Sequence, residues 1–144
     1  MVIYADTSFL FSLYAQDANT AQAGKIAAAI NNPLVFTPLQ RHELRNAFRL
    51  SLFRREISTS ECQHLLSLVE TDTKMGVLVE TPISWSELYS QAETLSATHT
   101  QNLGTRGFDV LHVAAAVTLG TQHFLTFDAR QKSLATKARL KVQP

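Results

Sequence analysis

Short apolar runs that alternate with helix-like segments are the feature that most restricts how this chain can fold. Each run is only three or four residues long and shows no polar alternation, as is typical of strands buried on both faces. Segments with the apolar spacing of amphipathic helices separate the runs. The alternation therefore predicts a parallel sheet with helices on both sides, which is a three-layer α/β/α fold. The predicted strands cover residues 2–5, 34–36, 77–79, 123–126 and, at one edge, 140–142.

The intervening segments carry recognisable helix starts. Capping boxes begin at Thr37, Ser58 and Ser84, and the first of them has Pro38 at the first helical position. Residues 98–107 (THTQNLGTRG) are polar and contain two glycines, which predicts a loop. The predicted helices cover residues 8–14, 21–30, 38–53, 58 to at least 69, 84–97, 108–119 and 129–138.

Length and charge limit the class of protein. The chain has 144 residues, which predicts a single domain over residues 1–144. Its formal net charge is +1, so contact with nucleic acid has to come from a local patch. Its one cysteine, Cys62, allows no internal disulfide. No signal peptide is recognisable, and no apolar run approaches the roughly 18 residues of a membrane span. We therefore expect a cytoplasmic protein without a membrane partner.

Four acidic residues, far apart in sequence, fall at equivalent places in this predicted fold. Asp6 and Asp128 come just past the first and fourth strands, Glu43 lies in the second turn of the helix after the second strand, and Asp109 lies in the first turn of the helix before the fourth. Helices in this architecture run antiparallel to the strands, so all four face the carboxyl edge of the sheet, where ligands bind. Taken alone, Asp6 is also a good helix N-cap.

The chemistry of four neighbouring carboxylates favours a bound cation. They cannot all stay ionised without compensating positive charge. Mg²⁺ or Mn²⁺ fits this all-oxygen set, whereas Zn²⁺ is not indicated because no cysteine or paired-histidine set is present. A divalent cation in such a cleft activates water and neutralises charge during phosphoryl displacement. The sequence therefore predicts phosphodiester hydrolysis.

At these positions the chain resembles the PIN-domain nucleases, and among them the VapC-like toxins of type II toxin–antitoxin systems. The resemblance implies a parallel sheet of strand order 3-2-1-4-5 and a metal-dependent endoribonuclease that cleaves RNA. It also implies a homodimer that a small antitoxin protein inhibits. The motifs that carry it are residues 4–8 (YADTS), 43–47 (ELRNA), 106–114 (RGFDVLHVA) and 124–128 (FLTFD).

The resemblance also assigns roles to the four acids. It implies that Asp6, Glu43 and Asp109 bind Mg²⁺ or Mn²⁺ and activate water. Asp128 is the fourth member, which binds metal through water or serves only as a helix cap.

Four polar residues beside the acids are candidate supporting residues. The hydroxyls of Ser8 and Thr126 orient ligands or waters, or cap the backbone. Asn46, on the helical face of Glu43, braces a carboxylate or is a simple rim residue. Arg106 pairs with Asp109, meets a phosphate, or forms an exposed ion pair.

Arginines recur every four residues on the helix that carries Glu43. This stripe, made of Arg41, Arg45 and Arg49, is a candidate for tracking RNA phosphates. A solvated face, or a surface neutralised by an acidic partner, explains the same spacing.

Aromatic and histidine side chains near the motifs have core packing as their default. His112 lies in a helix rich in Ala and Val, where a hydrogen-bonded core residue is favoured over a ligand or an acid–base group. Phe108, Trp85 and Tyr89 are base-stacking candidates only if they are exposed.

Other classes of function compete with a ribonuclease toxin. A PIN-like module that binds RNA or protein without cleaving, or an RNA-processing nuclease that is not a toxin, has the same motifs. An aspartyl-phosphate enzyme built on Asp6 is disfavoured, because Ser8 stands where a dehalogenase-type site has its second Asp. A receiver domain is disfavoured because Glu80, not Asp, follows the third strand.

Overall fold

A central layer of five short parallel strands organises the structure, a computed structural model that describes residues 2–144. Met1, the first residue of the predicted domain, lies outside the described residues. All three strand pairings are parallel. The strands are β1 (Ile3–Ala5), β2 (Leu34–Phe36), β3 (Leu78–Glu80), β4 (His123–Leu125) and β5 (Lys141–Gln143).

Helices connect consecutive strands and complete the outer layers. The connection between β2 and β3 contains two long helices, and a five-residue π-helical segment, Ser96–Thr100, extends the helix after β3. The helices are α1 (Thr7–Tyr14), α2 (Thr20–Ile30), α3 (Pro38–Phe53), α4 (Thr59–Lys74), α5 (Trp85–Leu95), α6 (Gln101–Leu103), α7 (Gly107–Thr118) and α8 (Ala129–Lys137).

Alternate residues of the strands enter two separate cores, which is why the fold has three layers. Ile3 and Ala5 pack with residues of α1–α4, whereas Tyr4 between them packs with residues of α5, α7 and α8. Val35 and Phe124 join Tyr4 in the second core. Because successive side chains of a strand point to opposite faces, a run buried throughout needs cover on both sides. The predicted α/β/α class is confirmed.

The strand order follows the prediction, with one division in the sheet. β1 pairs with β4, which pairs with β5, and β2 pairs with β3. β1 lies beside β2, giving the order 3-2-1-4-5, but no hydrogen-bonded ladder joins these two strands. Gln40, at the start of α3, donates a hydrogen bond from Nε2 to the Ala5 carbonyl at 2.7 Å. A side-chain hydrogen bond from α3 therefore holds the end of β1 on the side where no backbone ladder joins β1 to β2.

Several sequence-based boundaries were wrong. Four of the five strands begin or end one residue away from the predicted position, as in the third, which is Leu78–Glu80 rather than residues 77–79. Residues 98–103 were predicted as loop, but the π-helical segment and α6 continue the helix as far as Leu103. The polar residues fit there because threonines such as Thr98, whose hydroxyl bonds to the Thr94 carbonyl at 2.8 Å, satisfy the helix backbone. Gly104, at φ +64°, ends the helix.

Within residues 2–144, no helix combines the length and apolar character needed to cross a bilayer.

Candidate metal and active site

Asp6 is fully buried at the junction of β1 and α1, where it is the N-cap of α1. Its Oδ1 accepts hydrogen bonds from the Phe9 amide at 2.9 Å and the Ser8 hydroxyl at 2.7 Å. Its Oδ2 accepts one from the Thr126 hydroxyl at 2.5 Å. Burial raises the pKa of the Asp6 carboxyl, although the bonds from Thr126, Phe9 and Ser8 oppose that shift.

Ser8 and Thr126 connect Asp6 to the loop after β4. The Ser8 hydroxyl also accepts a hydrogen bond from the Phe127 amide at 3.0 Å, and Thr126 accepts one from the Asp128 amide at 2.9 Å. The backbone-capping alternative therefore applies to both hydroxyls, and the orienting of ligands or waters stays a prediction. Each hydroxyl braces the buried carboxylate and also satisfies backbone, which fixes Asp128 relative to Asp6.

Glu43 is held by a buried histidine. The His112 Nε2 lies 3.0 Å from Glu43 Oε2, and its Nδ1 lies 2.8 Å from the Tyr4 hydroxyl. The imidazole is fully buried, whereas the Glu43 side chain is 29% exposed. An ionised carboxylate only accepts, so Nε2 carries a proton that it donates to Glu43. Burial acts to raise the pKa of Glu43, but the hydrogen bond and charge of His112 outweigh it and lower that pKa.

The structure confirms the prediction of a hydrogen-bonded core residue for His112 and identifies its partners. The imidazole is fully buried, and one partner is Glu43, one of the four acids. Thr7, whose hydroxyl lies 3.4 Å from Nε2, completes the contact and was not singled out from the sequence. His112 and Glu43 are 69 residues apart, and no local pattern identifies such a pair.

Asp109 and Asp128 are joined by Gln131. The Gln131 Nε2 donates to Asp109 Oδ1 at 3.2 Å, and its backbone amide donates to Asp128 Oδ1 at 2.9 Å. Asp109 Oδ2 also accepts from the Arg106 backbone amide at 3.2 Å. Asp128 is thus the N-cap of α8, as one of its two predicted roles requires. Gln131 was missed, although an acid followed by glutamine three residues later is a capping-box spacing.

An open cleft brings three of the four acids together. Glu43, Asp109 and Asp128 line a cavity of about 550 Å³, with Ser8 and Gln131 also in its wall. Asp6 lies below this wall, linked to it through Ser8 and Thr126. Within residues 2–144, however, no three His, Cys, Asp or Glu side chains form a group that could hold a metal ion by themselves.

The donor chemistry of the cleft still fits a hydrated divalent cation. Mg²⁺ is held in proteins by one or two carboxylates and keeps several waters, so it does not need three direct protein ligands. The side-chain oxygen Oε1 of Gln131 is buried and lacks a hydrogen-bond partner among residues 2–144. This unpaired acceptor beside two carboxylates suits a cation or its waters, whereas the cleft offers no Zn²⁺-type ligand set.

The remaining supporting residues lie outside this network. Asn46 is exposed, and Ala47 rather than Asn46 lines the cleft. The Arg106 side chain is exposed and lines a smaller cavity of about 250 Å³ that Asp109 and Asp128 also border. Phe108, Trp85 and Tyr89 are 52%, 48% and 59% exposed, so the expectation of core packing was wrong for all three.

The arginine stripe is divided between two surroundings. Arg41 and Arg45 both form ion pairs with Glu70 of α4, at 2.6 Å and 2.8 Å. Arg49 is exposed, and none of the three lines the acidic cleft. Arg54, the C-cap of α3, does line it. An RNA-binding role for the stripe stays a prediction, and an intramolecular ion pair accounts for its first two members.

Comparison with known proteins identifies the fold family. Solved structures with similar folds include VapC20 from Mycobacterium tuberculosis, a sarcin-ricin loop cleaving toxin, with a TM-score of 0.70, 20% identity and 99% of each chain covered. VapBC2 from Rickettsia felis, bound to a DNA fragment from their promoter, gives a TM-score of 0.68 at 14% identity, covering 99% of this chain and 98% of that chain. VapBC-1 from nontypeable Haemophilus influenzae gives 0.65 at 16% identity, covering 99% and 97%. No curated protein matches the sequence. Residues 3–137 match the PIN domain model, and with most of the sequence matched, the chain belongs to the PIN-domain family.

Proposed function

We propose that this protein is a metal-dependent endoribonuclease that hydrolyses RNA phosphodiester bonds and acts as the toxin of a toxin–antitoxin pair. The observation that carries the proposal is the acidic cleft, in which Glu43, Asp109 and Asp128 surround one cavity above the buried Asp6. Membership of the PIN-domain family supports it. Each acid reaches the same edge of the sheet from a different element, as the predicted mechanism requires.

The residues divide between holding a cation and fixing the geometry. Asp109, Asp128 and Glu43 present carboxylate oxygens to the cleft, and Asp6 contributes negative charge from below. When bound there, Mg²⁺ or Mn²⁺ would activate water and neutralise the charge that develops on the phosphate. The hydroxyls of Ser8 and Thr126 keep the Asp6 carboxylate from rotating.

The proposed partners are an RNA substrate, a small antitoxin protein and a second copy of this chain. Similarity to VapC20, a sarcin-ricin loop cleaving toxin, supports RNA as the substrate. Similarity to the VapBC2 and VapBC-1 structures supports an antitoxin partner. The homodimer derives from the family resemblance alone, and light scattering of the purified protein measures it.

Conservative substitution of the cleft acids tests the nuclease. We expect Glu43→Gln and Asp109→Asn each to lower the rate of RNA cleavage by at least about 100-fold, because each removes a charge that the reaction uses. EDTA should abolish cleavage by the unaltered protein, and Mg²⁺ or Mn²⁺ should restore it. Glu93→Gln, an exposed substitution on α5, is the matched control and should cleave like the unaltered protein.

The outcomes separate the alternatives. Cleavage that survives both substitutions would belong to another site or to a contaminant. A non-catalytic RNA-binding module is the second candidate, favoured by the lack of a three-ligand group within residues 2–144. It predicts RNA binding without cleavage and without Mn²⁺ uptake. An RNA-processing nuclease would cleave in vitro, but its expression would not arrest growth in the absence of an antitoxin.

A further inference from the structure

Gln131 is a buried amide with one end engaged and the other free. It is only 5% exposed, and its Nε2 donates to Asp109 Oδ1 at 3.2 Å. Its Oε1 is closed off from solvent and has no donor among the described side chains and backbone of residues 2–144. A buried carbonyl without a partner destabilises a fold, so its presence here needs an explanation.

The orientation of this amide is fixed by its neighbour. An ionised carboxylate only accepts hydrogen bonds, so the NH₂ end of Gln131 has to face Asp109. Rotating the amide by half a turn would set a carbonyl oxygen against the Asp109 carboxylate. The unpaired oxygen is therefore a consequence of the contact with Asp109 and not an ambiguity between nitrogen and oxygen.

The position of Gln131 shows what could satisfy the free oxygen. Gln131 lines the acidic cleft together with Asp109 and Asp128, and it is bonded to both. Amide carbonyl oxygens are ligands of hard divalent cations and acceptors for the waters that such cations retain. A group bound in the cleft is therefore a candidate for the missing partner.

We propose that the Gln131 side-chain oxygen is part of the divalent-cation site, where it accepts from the hydrated cation alongside Asp109 and Asp128. This inference rests on the proposed metal dependence and adds a neutral donor to the four acids. The two ends of the Gln131 amide then have different roles. Its NH₂ group holds Asp109, and its carbonyl oxygen meets the cation or a water on it.

Isothermal titration with Mn²⁺, without RNA, tests the proposal. Gln131→Met keeps the length and removes both polar ends, and we expect it to weaken Mn²⁺ binding by about 10–100-fold. Gln131→Glu also removes the donor to Asp109 but keeps an oxygen at the same place, so it should restore most of the affinity. Gln63→Met, exposed on α4, is the matched control and should bind like the unaltered protein.

Gln131→Glu adds a negative charge near the cleft, and the effect of that charge on Mn²⁺ binding needs a separate control. A Gln131→Met/Ser133→Glu double variant places one more carboxylate on the exposed side of α8, and it should bind Mn²⁺ as weakly as Gln131→Met. Circular dichroism and the melting temperature without metal report whether each variant folds. If Gln131→Met does not fold, Gln131→Asn takes its place, because its shorter side chain withdraws the oxygen.

The possible results separate this inference from the proposed function. If Gln131→Met binds Mn²⁺ like the unaltered protein, the inference fails while the metal site stands. Equal weakening in Gln131→Met and Gln131→Glu also overturns it, because holding Asp109 would then be the only task of the side chain. If the unaltered protein takes up no Mn²⁺, the proposed metal-dependent function fails first.

Discussion

Asp6 is a buried residue that ties three parts of the fold together. Its carboxylate is fully buried and accepts three hydrogen bonds that link β1, α1 and the loop after β4. A charge removed from water in this way is costly unless donors or a cation compensate it. Three neutral donors compensate only in part, because burial still raises the pKa of the Asp6 carboxyl. A bound cation would supply the rest.

Replacing Asp6 tests this balance through the pH dependence of stability. A raised pKa in the folded state means that the folded protein binds this proton more tightly than the unfolded chain. The contribution of Asp6 to stability therefore grows as the pH falls through its folded pKa toward the ordinary value of 3.8. Asp6→Asn lacks that gain. In EDTA it should match or exceed the unaltered protein in free energy of unfolding at pH 7, and the difference should shrink on acidification.

Urea unfolding from pH 7 down to pH 4 measures this difference. Gln63→Met, which changes an exposed residue of α4 and no titratable group, is the control and should show no such trend. Glu43, whose pKa is lowered, loses its contribution as the pH falls below its ordinary value of 4.5, but it does so equally in both proteins and cancels. A pH-independent difference between Asp6→Asn and the unaltered protein would contradict the argument.

His112 offers a second prediction for a single residue. His112→Leu removes the imidazole that bonds Tyr4 and Glu43, and it leaves the buried Tyr4 hydroxyl without that partner. We expect the free energy of unfolding to fall by about 2–4 kcal/mol. His64→Leu, exposed on α4, should change it by no more than about 0.5 kcal/mol. Similar losses in the two variants would refute a structural role for the His112 contacts.

At the scale of elements, one glutamine, Gln40, both caps α3 and links it to β1. Gln40 closes the capping box of α3 by accepting from the Thr37 amide at 2.8 Å, and it reaches the end of β1 through the Ala5 carbonyl at 2.7 Å. Both bonds are buried. The helix that presents Glu43 is thus started and positioned by the same side chain.

Gln40→Ala should destabilise the protein more than loss of an exposed cap. It leaves a buried amide and a buried carbonyl unpaired, so we expect a loss of about 2–3 kcal/mol in the free energy of unfolding. Ser84→Ala, which removes the exposed cap of α5, should cost about 1 kcal/mol. Urea titration of both variants makes the comparison, and equal losses would show that the contact with β1 contributes nothing.

Elements with local signals were predictable from the sequence, and those without were not. The capping residues Thr37, Ser58 and Ser84 mark helix starts that the structure reproduces. Residues 98–103 were misassigned because their composition is that of a loop, and hydroxyl-to-carbonyl bonds let them stay helical. The exposed Tyr89 and Phe108 were misassigned because apolar residues alone do not show which face of a helix is left uncovered.

For the whole molecule, the sequence predicted the architecture and the edge that collects the acids. The strand order came from the family resemblance and the rim from the geometry of parallel sheets. The contacts that fix the acids could not be predicted, because Asp6 is bonded by Thr126 from 120 residues away and Glu43 by His112 from 69. These contacts form only when the two cores have packed, so they cannot be predicted from composition or from the spacing of apolar residues.

The lack of a hydrogen-bonded ladder between β1 and β2 affects how the acidic residues are held relative to one another. Asp6 and Asp128 follow strands of the three-stranded part, whereas Glu43 follows the two-stranded part. Both hydrophobic cores cross this line, because Phe36 belongs to the same core as Ile3, and Val35 to the same core as Tyr4. The position of Glu43 relative to the other acids is therefore set by side-chain packing and by the bond from Gln40 to the Ala5 carbonyl, not by a strand ladder.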